Sequence, residues 1–91
     1  METYEELYDS VKLIMDGIIL PDYNHIICSY DISLDETYNQ PQVTVLFIGG
    51  HGTKLWPITQ GIRSMYFDVL DDIAKEVTKY TGRVIGVHML Q

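Results

Sequence analysis

The chain has 91 residues, 46 % of them hydrophobic, and a formal net charge of −7. That length supports one globular domain with stability on the order of 5–14 kcal/mol and no metal or disulfide staple. No apolar run approaches the ~20 residues of a membrane span, and the excess of acid disfavours direct contact with nucleic acid, whose phosphates need Lys and Arg.

A single cysteine, Cys28, excludes an internal disulfide framework and suggests a reducing compartment, the cytoplasm. The opening METYEELYDS is acidic and lacks an apolar core, so no secretory signal is expected there.

Thr3 with Glu6 three residues later is a capping box. The helix it starts is predicted to run to about Asp16, with Tyr4, Leu7, Tyr8, Val11, Ile14, Met15 and Ile18 on its apolar face. Gly17 suits the left-handed position after a helix, and Pro21 is expected to prevent a restart. The opposite face carries Glu2, Glu5, Asp9 and Asp16, with Leu13 among them.

Residues 25–33 alternate, with Ile26, Cys28, Tyr30 and Ile32 on one face and Ile27, Ser29, Asp31 and Ser33 on the other, which predicts a strand with one wet face. The polar connection LDETYNQPQ, with Asn39 and Pro41 as turn formers, leads into a second strand over 43–49 that reads as its antiparallel partner. The run VTVLFI is apolar on both faces and marks the central strand.

GGHGTK leaves that strand, and a helix is predicted to run to Tyr80, starting either with Pro57 in its first turn or near Gly61–Ile62. Its buried stripe is Ile62, Tyr66, Val69, Leu70, Ile73, Val77 and Tyr80, and Asp71 with Lys75 forms a favourable i,i+4 pair. Gly82 closes the helix, and RVIGVHML over 83–90 is predicted as the last strand, parallel to the second across the helical crossover. The expected fold is a single α+β domain over 1–91 in the order α-β-β-α-β, with two helices on one face of a three-stranded mixed sheet.

Chemical motifs are sparse. GGHGTK could cradle a phosphate with its backbone N–H groups, but its order matches neither the phosphate-loop nor the dinucleotide pattern. Gly49 to Gly52 spells the Gly-x-x-Gly of KH domains, which there joins two helices and here follows a strand. His25, Cys28, His51 and His88 lack metal-ligand spacing. Cys28 reads better as a small buried hydrophobe than as a nucleophile. No cofactor, metal or catalytic residue is therefore assigned, and the chain is not expected to be an enzyme.

Charge is the asymmetric feature. Residues 1–46 hold nine acids against Lys12 alone, while 47–91 hold four acids and five bases. An unrelieved acidic half costs self-repulsion that a basic partner surface would offset. Large rings in connections (Tyr23, Tyr38 and Trp56) suit interface anchoring.

The leading expectation is an acidic interaction module that occupies the basic site of a nucleic-acid-handling protein. Phage inhibitors that imitate the charge of DNA share this profile, as a class and not by sequence. The residues assigned to that contact are Glu2, Glu5, Asp9, Leu13, Asp16, Asp31, Asp35, Glu36, Tyr38 and Trp56. The rivals are an assembly subunit that dimerises through a sheet edge and a small phosphate-binding domain or enzyme built on GGHGTK.

Overall fold

Strand β2, Gln40–Phe47, is the centre of the sheet, with β1 (Ile27–Asp35) antiparallel on one side and β3 (Val87–Met89) parallel on the other. The computed structural model describes residues 3–48 and 60–90, with side chains from 65 onward in the second stretch. Counting the helical run 4–23 as one unit, the order is α-β-β-α-β, as the sequence predicts. The first helix packs on β2 and α3 (Gln60–Thr81) packs on β3, both on the same sheet face, and the two helices touch. Among the described residues no helix is long and apolar enough to cross a membrane.

The core is the inner face of β2 closed by the helices. Val43, Val45 and Phe47 are fully buried, and Leu7, Val11, Ile14 and Met15 meet them from one helix, Leu70, Ile73 and Val77 from the other. The Phe47 ring stacks on Tyr66 with centroids 4.4 Å apart.

The first helix ends differently from its sequence reading. α1 spans Tyr4–Ile14, with Thr3 Oγ1 accepting the Glu6 N–H at 3.2 Å. A π-helical turn follows over Met15–Ile19, in which the Leu20 N–H reaches back five residues to Met15 O, and α2 continues over Leu20–Tyr23. Gly17 therefore lies inside the helix, and Pro21 sits at the start of α2 instead of blocking it. A proline ring clashes with the carbonyl four residues back in a regular helix, and the wider turn ahead of Pro21 accommodates it. The inserted residue also moves the buried position from Ile18, which is half-buried, to Ile19, which is 1 % exposed.

The strict alternation expected of β1 is broken by a bulge. Ile27 pairs with Phe47 but Ser29 pairs with Leu46, which leaves Cys28 as the extra residue. Ile27 thereby turns into the core beside Tyr30 and Ile32, and Cys28 is exposed, contrary to the buried placement read from the sequence. The connection between β1 and β2 is shorter than LDETYNQPQ suggests. Both strands extend until a tight turn at 36–39 remains, in which Asp35 Oδ1 accepts the Thr37 N–H at 3.1 Å and Asn39 takes a φ of 51°. Pro41 is no turn former: it is buried in β2 opposite Leu34.

α3 ends at Gly82, whose φ of 70° suits the left-handed cap and whose N–H donates to Thr78 O at 2.8 Å. The stripe stops at Val77, for Tyr80 is 56 % exposed. The last strand is confined to three residues because 83–86 form a connection that buries Ile85. At Gly86 the exposed His88 ring folds back over the backbone, where a Cβ would meet its Nε2 at 2.9 Å and displace it. GGHGTK, Trp56 and Glu2 lie outside the described residues, as do the side chains of Ile62 and Arg63.

Truncating Phe47→Ala removes the largest fully buried side chain among the described residues and its stack on Tyr66. A loss of about 3–5 kcal/mol is expected in urea unfolding, a large part of the roughly 5–14 kcal/mol available to a domain of this size. A curve like that of the wild type would mean that β2 is not the core strand.

Candidate interaction surface

The outer face of α1 is a strip of acid on a helix whose other side is core. Leu7, Val11 and Ile14 point into the protein, and helical spacing puts Glu5, Asp9 and Leu13 on the opposite side, all exposed. Leu13 is 74 % exposed, an apolar side chain standing among carboxylates. Glu5 and Asp9 rise about 6 Å apart along the axis, and neither has an ion-pair partner among the described residues.

Asp16 differs. It accepts a short hydrogen bond from the Tyr30 hydroxyl on β1, and its other oxygen lies 3.3 Å from Lys12 Nζ. The Tyr30 hydrogen bond, with Lys12 adding to it, holds the Asp16 carboxyl below its ordinary 3.8. Desolvation, then the bond to Asp16, then the Asp16 charge and the nearby Tyr8 push the Tyr30 hydroxyl far above its ordinary 10.0. Asp16 is therefore not unrelieved charge: Lys12 and Tyr30 relieve it, and they make it a clasp between helix and sheet. Periodicity puts Tyr30 on the face of Ile32, as found, but cannot say which helix side chain its hydroxyl reaches.

The remaining assigned residues do not join this strip. Asp31 pairs with Thr44 in the ladder, on the sheet face that no described helix covers. That face holds a shallow recess of about 200 Å³ lined by Ser29, Asp31, Thr44, Leu46 and Leu90. Asp35 is half-buried and bound to the turn backbone, while Glu36 and Tyr38, the latter 72 % exposed, stand at the hairpin tip. The ten residues thus occupy at least three places: the helix face, the open sheet face and the hairpin tip.

Tyr23 is no free anchor either. Its hydroxyl donates to Asp72 Oδ2 at 3.2 Å and its ring lies along His25, so it fastens α2 to α3. Burial, then the Asp72 bond and the charges of Asp72, Asp22 and Glu76, raise its hydroxyl above the ordinary value.

Among the described residues no group of three or more His, Cys, Asp or Glu stands together as a metal site. A groove of about 380 Å³, unread in the sequence, runs between α3 and β3 and is lined by Phe67, Leu70, Asp71, Ala74, Val87, His88 and Met89. No protein-family model matches the chain, and no curated protein or solved structure does either.

Replacing Tyr30→Phe removes the clasp and leaves the ring. Asp16 has a depressed acidity constant in the folded chain, so its share of stability exists above the unfolded value and is lost as pH falls through the folded one. Tyr30 has a raised one, so its share exists below the unfolded value and is lost as pH rises past it. The difference in melting temperature between wild type and variant should be full between about pH 5 and about pH 9, and shrink outside that window. A difference that stays constant from about pH 2.5 to about pH 8 would contradict the clasp.

Proposed function

We propose that the chain is a small protein–protein interaction module whose acidic α1 face seats on a basic, nucleic-acid-binding surface of a partner protein. One observation carries the reading: Glu5 and Asp9 stand exposed and without ion-pair partners on the helix face opposite the core, in a half of the chain that has a single base. Ordinary surface acids are interspersed with bases, which relieves repulsion. Here relief has to come from outside, and a surface evolved for phosphates supplies it.

Leu13 fits the same picture. Charge steers encounter and an apolar contact at the centre lengthens residence. Asp31, Glu36 and Tyr38 belong to other faces of the chain, so the contact is built on α1.

The test uses the basic protein that the wild-type chain captures from extract of its source cells. The double reversal Glu5→Lys and Asp9→Lys should weaken that complex about ten-fold or more at ~0.1 M salt, where screening still leaves a range of ~10 Å. Asp16 is left alone because it clasps Tyr30. Leu13→Ala should raise the dissociation rate with little change in the association rate. Asp68→Lys on α3 is the control and should change little. Unchanged affinity in the double reversal would leave the strip as solvated surface and remove the reading.

A further inference from the structure

The flank of α3 that overhangs β3 lies on the far side of the sheet order from β1, away from the acidic strip of α1. Three features meet there. β3 is an edge strand bound to β2 on its inner side, where the flanking Gly86 O accepts from Val43 N–H at 2.8 Å and Leu90 N–H donates to Val45 O at 2.9 Å. In that parallel register the N–H and C=O of Val87 and Met89 point outward, away from β2. The groove beside them is floored by Ala74, Val87 and Met89.

The third feature is the order of charge along the helix. The recesses on this flank are lined by Asp71, then Ala74, then Lys75, Thr78 and Lys79. Acid stands at the N-terminal end of the flank, base at the C-terminal end, and a small residue lies between. Asp71 and Lys75, expected from the sequence to pair within the helix, form no ion pair among the described residues.

We propose that this flank is the interface of a two-fold dimer in which β3 pairs antiparallel with β3 of a second copy. With His88 on the axis, Val87 lies opposite Met89 of the second copy and the outward N–H and C=O groups satisfy one another, which gives a continuous six-stranded sheet. The two α3 helices then lie side by side and antiparallel over the seam. Asp71 of each copy meets Lys75 of the other, and Ala74 lets the axes approach to about 8–10 Å. A foreign strand could bond to β3 equally well. The acid-small-base order, reversed by a two-fold axis, matches itself, and this selects a second copy as the occupant. The α1 faces stay on the outside of such a dimer, so the proposed charge contact and this one are independent.

Sedimentation equilibrium on the whole chain tests the proposal. Wild type should move from 10.5 kDa to twice that mass within the micromolar range. Asp71→Lys alone, or Lys75→Glu alone, puts like charges across the axis twice, and each should raise the dissociation constant about ten-fold or more. An equimolar mixture of the two variants should dimerise again, because each mixed pair restores both contacts. Both substitutions are at exposed positions, and unchanged circular dichroism will confirm that the chain still folds. A wild type that stays at 10.5 kDa up to ~100 µM, a dimer indifferent to both single reversals, or variants that do not rescue one another would each overturn it.

Discussion

One face of β2 has to be covered, and the rest of the chain is arranged by that need. Val43, Val45 and Phe47 are fully buried, and β2 is the strand with neighbours on both sides. A three-stranded sheet has too little apolar surface to close on itself, so it takes both helices on the same side. Two consequences follow for function. The outer side of α1 carries no packing duty, so it can hold acid without loss of core. The opposite sheet face carries no described helix, and β1 and β3 each keep an outer edge beyond the three-stranded ladder, so these are the places where a second chain can add.

The acidic strip and the fold touch each other at Asp16. A regular helix would end its apolar stripe at about Ile18; the π-helical turn carries Ile19 into the core instead and lets the helix pass Pro21 into α2. Asp16 lies at the start of that turn, bonded to Tyr30 and Lys12. Glu5 and Asp9 are therefore chemically unlike Asp16, although all three share a helix face. The first two are available to a partner, and the third holds the helix against β1. The Tyr23–Asp72 bond does the same for α2 against α3. Tyr23, expected from the sequence to anchor an interface, and Tyr30 thus both fasten one element to another.

The architecture was legible in the sequence because it rests on long periodic segments. The apolar run of β2, the stripe of α3 and the glycine at 82 each point to one answer, and strand order follows from the crossover. What escaped were single-residue insertions. The bulge at Cys28 and the π turn after Ile14 each add one residue to a periodic element, and periodicity cannot locate such a slip. Pro41 and Asn39 look alike as turn formers, yet Asn39 adopts the left-handed backbone while Pro41 is buried in the strand. The site was less legible than the fold. Counting acids found the strip on α1 but could not separate Asp31, Glu36 and Tyr38, which lie on other faces. Asp71 and Lys75 illustrate the same limit, since their spacing along the helix predicts a pair that they do not form among the described residues.

The charge reading makes the chain a competitor of nucleic acid for one basic surface. The most direct measurement is the fluorescence anisotropy of labelled nucleic acid bound to the basic protein that the chain captures, titrated with the chain. Release of the nucleic acid as the complex forms, one bound chain excluding the other ligand, is the expected result. Nucleic acid that stays bound in a ternary complex with the chain at saturation would contradict it.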